Sequence, residues 1–208
     1  MIMRLILCII LGYLIGMISP SALLSKLKNV NMKQAGTGNL GASNAILLLG
    51  KGYGMLVMVI DILKAFLACH IGQWIFPDWE IAAYVTGFGT VLGHVYPFYL
   101  HFKGGKGLAC YGGMVCYYNV WLLLFYLTGG VVLMILANRS VFLAVFVTVS
   151  FPVILLLTTG NWNQFLVVTI ASAFLLWVHR KNFGRVKRGE EEPMRDIIRN
   201  KIFKKSEK

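Results

Sequence analysis

Charge is what this sequence has least of. Only 13% of its 208 residues are Asp, Glu, Lys or Arg, and just eight residues are acidic, against about 25% charged residues in soluble domains. A chain so poor in charge cannot cover itself with a solvated surface. Cysteine chemistry is equally thin: Cys8, Cys69, Cys110 and Cys116 all lie in apolar stretches, with no CxxC pair and no histidine at metal-ligand spacing. That excludes a zinc knuckle or a redox pair and leaves four small buried hydrophobes. The sequence has no internal repeat, no low-complexity tract and no identifiable Ser-His-Asp set. The net charge of +12 could suggest nucleic acid, yet no soluble basic domain remains once the apolar runs are set aside.

What is there is apolar. Hydrophobic residues make up 58% of the chain, and the mean hydropathy is +0.71. They run over about 5–25, 52–76, 81–100, 107–119, 121–137, 141–158 and 164–178. A straight helix crosses a bilayer in about 20 residues, fewer if the bilayer thins. The first run follows Arg4 as a signal peptide would, but it is long enough to cross by itself and further spans follow. The stretch from Gly107 to Ala137 is too long for one span, and Tyr117, Tyr118, Asn119 and Trp121 in its middle resemble an interfacial turn. The expectation is an all-α, polytopic membrane protein of about seven transmembrane helices.

Orientation follows from the basic loops, because short cytoplasmic loops collect Lys and Arg. Lys26, Lys28, Lys33 and Lys51 follow the first run, Lys103 and Lys106 the third, Arg139 the fifth and Arg180 onward the last. The alternate loops, 77–80, 118–119 and 158–164, hold no Lys or Arg. Seven crossings with the N-terminus outside and the C-terminus cytoplasmic put every basic loop inside; Arg4 is the one dissenting charge. Residues 1–182 are expected to form a single membrane domain. Residues 183–208, which mix Arg185, Lys187 and Arg188 with Glu190 to Glu192, form a basic tail facing anionic lipid headgroups.

Three segments could carry chemistry on that inner face. The first runs Ala35-Gly36-Thr37-Gly38-Asn39-Leu40-Gly41-Ala42-Ser43-Asn44. Closely spaced glycines let backbone N–H groups converge on a phosphate, and Thr37, Ser43, Asn39 and Asn44 add side-chain groups. The second joins Gly93-His94-Val95-Tyr96-Pro97 to His101-Phe102-Lys103-Gly104-Gly105-Lys106-Gly107. It is not a nucleotide P-loop, since Leu100 stands where that pattern needs its first glycine and Gly107 where it needs Ser or Thr. Two lysines around paired glycines still make an anion cradle. The third is His179-Arg180-Lys181-Asn182 at the end of the last run. Asp61 and Lys64, three apart inside the second span, read as an ion pair that fixes helix packing, with a proton or ion pathway as the alternative.

With these segments in their order, the sequence resembles, from end to end, the bacterial integral-membrane glycerol-3-phosphate acyltransferases that take their acyl group from acyl phosphate. The resemblance includes Gly12 to Gly16 with Pro20, and Asp61 with Lys64. It implies transfer of a fatty acyl group to the 1-hydroxyl of glycerol-3-phosphate, giving lysophosphatidate and phosphate, in the bacterial cytoplasmic membrane. It gives Thr37, Gly38, Asn39, Gly41, Ala42 and Ser43 to the acyl-phosphate, with Asn44 closing that motif, and Lys106, His179 and Asn182 to glycerol-3-phosphate as the catalytic set. Lys103, Gly104, Gly105 and His94 are further substrate-binding candidates, and His94 and His101 candidate bases. Neither a metal nor an organic cofactor is called for, because acyl phosphate is already activated and the substrate phosphate itself is thought to take the alcohol's proton. The expected partners are the two substrates and membrane lipids, not nucleic acid.

Three features depart from the family pattern, the mildest being Thr37 and Ser43, which exchange one hydroxyl residue for another. Leu47 stands where the family places an arginine, and Phe142 to Val145 contains none of the serines usual after the position of Arg139. The competing readings are a catalytically weak relative that binds phosphate or phospholipid anions, and an organic-anion transporter.

Overall fold

The computed structural model describes residues 1–190 together with Pro193 and Asp196; the rest of the expected tail lies outside the described residues. Among the described residues the regular structure is all helical. In chain order the helices are α1 (Ile2–Gly16), α2 (Pro20–Leu27), α3 (Ala42–Leu49), α4 (Lys51–Ile75), α5 (Ala82–Val95), α6 (Leu108–Tyr118), α7 (Val120–Ala137), α8 (Val141–Thr159), α9 (Trp162–Val178) and α10 (Arg180–Lys187), with a 3-10 turn at Phe98–Leu100. The chain forms two compact units, Met1–Tyr118 and Asn119 onward.

Each of the seven apolar runs carries a helix, but they differ in reach. By length and composition four stretches can cross a membrane: Ile2–Leu27, Lys51–Ile75, Val120–Ala137 and Val141–Thr159. A fifth qualifies if α9 and α10, bent by 47° at their junction, count as one span. The other two, α5 and α6, have 14 and 11 residues, about 21 and 16 Å of helix against a hydrocarbon core of about 30 Å. The run over 81–100 loses its last turn because the helix stops before Pro97 and a 3-10 turn follows. The ambiguous stretch after Gly107 breaks where its polar aromatic centre suggested: Asn119 is extended, and its side chain accepts the Leu122 N–H to start α7.

In the first unit α5 is the most buried helix, with twelve of its residues inside. Small residues make that burial possible, because in lipid, helix association rests on close packing rather than on the hydrophobic effect. Gly12 and Gly16 on α1 lie against the backbone of Thr86, Gly89 and Thr90, and Gly93 lies against that of Tyr13. A Cβ at Gly89 would stand 2.6 Å from the Ile9 carbonyl. Thr86 and Thr90 return their hydroxyls to the carbonyls of Ala82 and Thr86, so this face presents no unsatisfied donor to its neighbours.

The second unit packs α8 against α7 and α9. Pro152 sits inside α8, and the Tyr126 phenol meets the Ser150 hydroxyl at 2.7 Å. Exposed tryptophans stand at helix ends: Trp74 on α4, Trp121 on α7 and Trp162 on α9, as expected of side chains that anchor helices at a membrane–water boundary.

Candidate active site

The first glycine-rich segment is a loop wrapped around one side chain. Asn44, at the start of α3, is fully buried. Its Oδ1 accepts the Thr37 N–H at 2.8 Å, and its Nδ2 donates to the carbonyls of Met32 at 2.9 Å, Asn39 at 2.9 Å and Ala35 at 3.2 Å. A primary amide is the side chain that both donates and accepts here. Gly36 and Gly38 have positive φ, 62° and 69°, and a Cβ on Gly36 would collide with the Asn44 carboxamide. The glycines are thus required by the turn itself, quite apart from any ligand. Thr37, Gly38 and Ser43 remain exposed on the outside of the loop, while Asn39 and Ala42 are half-buried and Gly41 is buried.

The loop is stapled to the preceding helix and to the second motif. The Ser25 hydroxyl donates to the Val30 carbonyl and accepts the Met32 N–H at 3.3 Å. The Lys33 ammonium donates to the Leu100 carbonyl at 3.0 Å. Leu24, Met32, Leu40, Ala45 and Val57 form a small core beneath, on which Leu100, Leu48 and Leu49 also pack. Beside it lies a groove of about 400 Å³ lined in part by Lys26, Asn31, Lys33, Leu40 and Leu100.

The lysine–glycine segment is tied to the end of α5. The N–H of Gly104 donates to the Val95 carbonyl at 3.0 Å, and that of Gly105 to the His94 carbonyl at 3.1 Å. A Cβ on Gly105 would meet His94 Nε2 and come within 2.7 Å of the Leu40 carbonyl, so this glycine is where the two loops touch. Lys103 is exposed and Lys106 half-buried; Gly107, with φ 83°, turns the chain into α6. His101 is an exposed, left-handed residue at the end of the 3-10 turn.

His94 itself is 6% exposed. Its Nδ1 lies 3.3 Å from Asp61 Oδ1 and 3.0 Å from Lys64 Nζ, and the lysine lies 2.7 Å from the same carboxylate oxygen. The expected Asp61–Lys64 pair is therefore present, and His94 is its third member. Asp61, His94 and Cys110 bring ligand atoms within 4.8 Å of one another, but the Lys64 ammonium already occupies the cation's place beside the carboxylate. Lys64 also donates to the carbonyls of Gly16 at 3.0 Å and Ile18 at 2.6 Å. Those carbonyls are freed where α1 breaks before Pro20, and inside a membrane they need an internal donor. The Tyr99 hydroxyl supplies the Met17 carbonyl in the same way, at 2.7 Å.

In the second unit His179 and Asn182 are buried at the α9–α10 bend. His179 Nδ1 lies 2.8 Å from the Leu175 carbonyl, and Asn182 accepts from Arg185 at 3.1 Å. Lys181 is exposed, and Arg180 lies over the Trp177 ring.

Of the expected site residues, the structure thus brings the 37–44 loop and the 103–106 loop together within the first unit. It places His179 and Asn182 one helical turn apart in the second. Sequence reading passed over Lys33, Ser25, Tyr99 and the contact of His94 with Asp61 and Lys64. The last had a signal: intramembrane ionisable residues seek one another.

The chain matches the family described as Glycerol-3-phosphate acyltransferase over residues 6–189. A glycerol-3-phosphate acyltransferase of Aquifex aeolicus is 36% identical to it, with 91% of this chain and 98% of that one covered. The enzyme of the same name from Lactiplantibacillus plantarum is 32% identical, with 91% of each covered. Among solved structures, PlsY, an integral membrane glycerol 3-phosphate acyltransferase in its glycerol 3-phosphate form, is 31% identical. It superposes with a TM-score of 0.83 over 91% of this chain and 94% of that one. With matches of this extent laid over its buried helices and its two joined loops, the chain belongs to the glycerol-3-phosphate acyltransferase family.

Proposed function

We propose that this protein transfers a fatty acyl group from acyl phosphate to the 1-hydroxyl of glycerol-3-phosphate, producing lysophosphatidate and inorganic phosphate for phospholipid synthesis. The observation that carries the reading is the pair of loops joined at Gly105 and Leu40. One is a glycine turn held open by Asn44 with Thr37, Gly38 and Ser43 outward; the other is a glycine pair flanked by Lys103 and Lys106.

Both substrates are phosphate anions, so bringing them together requires cations and oriented N–H groups more than a protein nucleophile. In the reaction the hydroxyl oxygen bonds to the acyl carbon, the bond from that carbon to the phosphate oxygen breaks, and the hydroxyl proton leaves with the released phosphate. Thr37, Gly38, Asn39, Gly41, Ala42 and Ser43 are assigned to the acyl-phosphate. Lys106, His179 and Asn182 are assigned to glycerol-3-phosphate on the family resemblance, with Lys103 and the two glycines supporting Lys106. Asn44 acts through the loop it organises. His94 is placed below the second loop rather than in contact with substrate, which its burial supports. The transporter reading drew on Asp61 with Lys64 and on the glycine-broken loops near the membrane; the partners that Asp61, Lys64 and His94 find in one another account for the first of these without a transport pathway.

The proposal includes seven crossings of a bacterial cytoplasmic membrane, the N-terminus outside, residues 1–182 as the acyltransferase domain and 183–208 as its cytoplasmic tail. The distribution of Lys and Arg supports it, and so do the exposed tryptophans at the ends of α4, α7 and α9. Purified protein in lipid, given acyl phosphate and labelled glycerol-3-phosphate, should yield labelled lysophosphatidate; product with acyl-CoA alone as donor would refute the donor assignment. Cysteines placed at Gly36 and Gly104 should label from the cytoplasm and one at Asp78 from outside, and a shared side would overturn the topology.

A further inference from the structure

Beneath the Lys103–Lys106 segment lies a charged cluster that the reaction as proposed does not use. Asp61 is 1% exposed, Lys64 5% and His94 6%. Ionised groups are costly at such burial unless each finds partners. An ammonium has three N–H groups, and those of Lys64 meet the Ile18 carbonyl at 2.6 Å, the Gly16 carbonyl at 3.0 Å and His94 Nδ1 at 3.0 Å, with the Asp61 carboxylate 2.7 Å from the same nitrogen as its counter-charge. His94 Nδ1 accepts one of them and lies 3.3 Å from the Asp61 carboxylate, and the ring is fixed with its other edge towards Gly105.

That edge has consequences for the loop above. Both glycines of the pair are pressed onto His94: a Cβ on Gly104 would meet its carbonyl and one on Gly105 its Nε2. The Gly105 N–H donates to the same carbonyl. The placement of the histidine therefore sets the register of the glycine pair, and Lys106 follows it directly in the chain.

We infer that Asp61 and Lys64 are positioning residues for the glycerol-3-phosphate subsite: they lock His94, His94 registers Gly104–Gly105, and the pair sets where the Lys106 ammonium stands. The inference rests on the reading of Lys106 as a phosphate cation. It also accounts for a buried ion pair that α4 would not need merely to pack, since an apolar pair can fill such a place at no loss of stability.

Two variants test it without leaving a single buried charge behind: Asp61→Asn with Lys64→Met, which removes both charges together, and His94→Asn, which keeps an acceptor near the Nδ1 position but lacks the Nε2 edge. The first readout is hydrogen exchange of the 101–107 segment in the detergent-solubilised full chain, and the second is the split of kinetic constants between substrates. In both variants the Gly105 amide should exchange about tenfold faster. KM for glycerol-3-phosphate should rise about tenfold while KM for acyl phosphate stays within about twofold. Unchanged exchange at Gly105, or an equal rise in both KM values together with a lower melting temperature, would overturn the inference. If the double variant does not fold, His94→Asn decides. Should the wild-type chain make no lysophosphatidate at all, the functional reading fails, whereas the exchange measurement still decides the positioning.

Discussion

Replacing Asn44 by alanine should undo the first loop while leaving the helices in place. The amide makes one bond to the Thr37 N–H and donates to the Met32 and Asn39 carbonyls at 2.9 Å, with a longer contact to Ala35. At a net value of about 1 kcal/mol for each of the three shorter bonds, the loop loses about 3 kcal/mol of local stability. A shift of that size moves an ordered-loop population by about two decades. Little of the loss should appear in global unfolding, because α3 and α4 keep their packing, including the fully buried Ala45 and Val57. The expected result is a fall of about 100-fold in kcat/KM for acyl phosphate, with faster proteolysis between residues 35 and 41 and a melting temperature in detergent within a few degrees of wild type. Asn44→Asp should be no better, since a carboxylate oxygen would then face the Met32 and Asn39 carbonyls. Kinetic constants within twofold of wild type in Asn44→Ala, with unchanged proteolysis, would refute the claim that this side chain builds the loop.

Other substitutions probe the rest of the first unit. Gly93→Leu would drive a side chain into the Tyr13 backbone and should separate α1 from α5, seen as a drop of more than about 3 kcal/mol in thermal or denaturant stability. Lys106→Ala should raise KM for glycerol-3-phosphate by about one to two decades through loss of a charge-assisted phosphate contact. Lys28→Ala, which removes a cation over the Tyr53 ring, should leave both KM values alone; equal effects would mean that general positive charge is what matters. Leu47→Arg should tighten glycerol-3-phosphate binding or leave it unchanged, because the neighbouring Leu48 and Leu49 are the leucines packed on the small core and Leu47 keeps part of its side chain accessible. Loss of acyl transfer with lower stability in that variant would show instead that the site has been repacked around the leucine.

The sequence alone determined the class of protein and its solvent, because seven apolar runs with basic residues gathered, Arg4 and Lys64 apart, in alternate loops and the tail are a response to a bilayer. It also determined the break at Asn119, where polar and aromatic residues interrupt an overlong run, and it marked the two loop motifs. What it could not decide was how far each run stays helical: α5 ends short of its apolar run because Pro97 cuts into it, whereas α6 fills its own short run between the turn at Gly107 and the break at Asn119. Nor could it distinguish a glycine that a ligand needs from one that the fold needs: Gly36 is required by Asn44, Gly105 by His94, and Gly12 and Gly93 by the facing helix. The joining of His94 to a pair some thirty residues earlier was likewise a decision of the tertiary structure. Spacing along one helix can predict an i, i+3 ion pair, but only the packing of α5 against α4 brings a third buried partner to it.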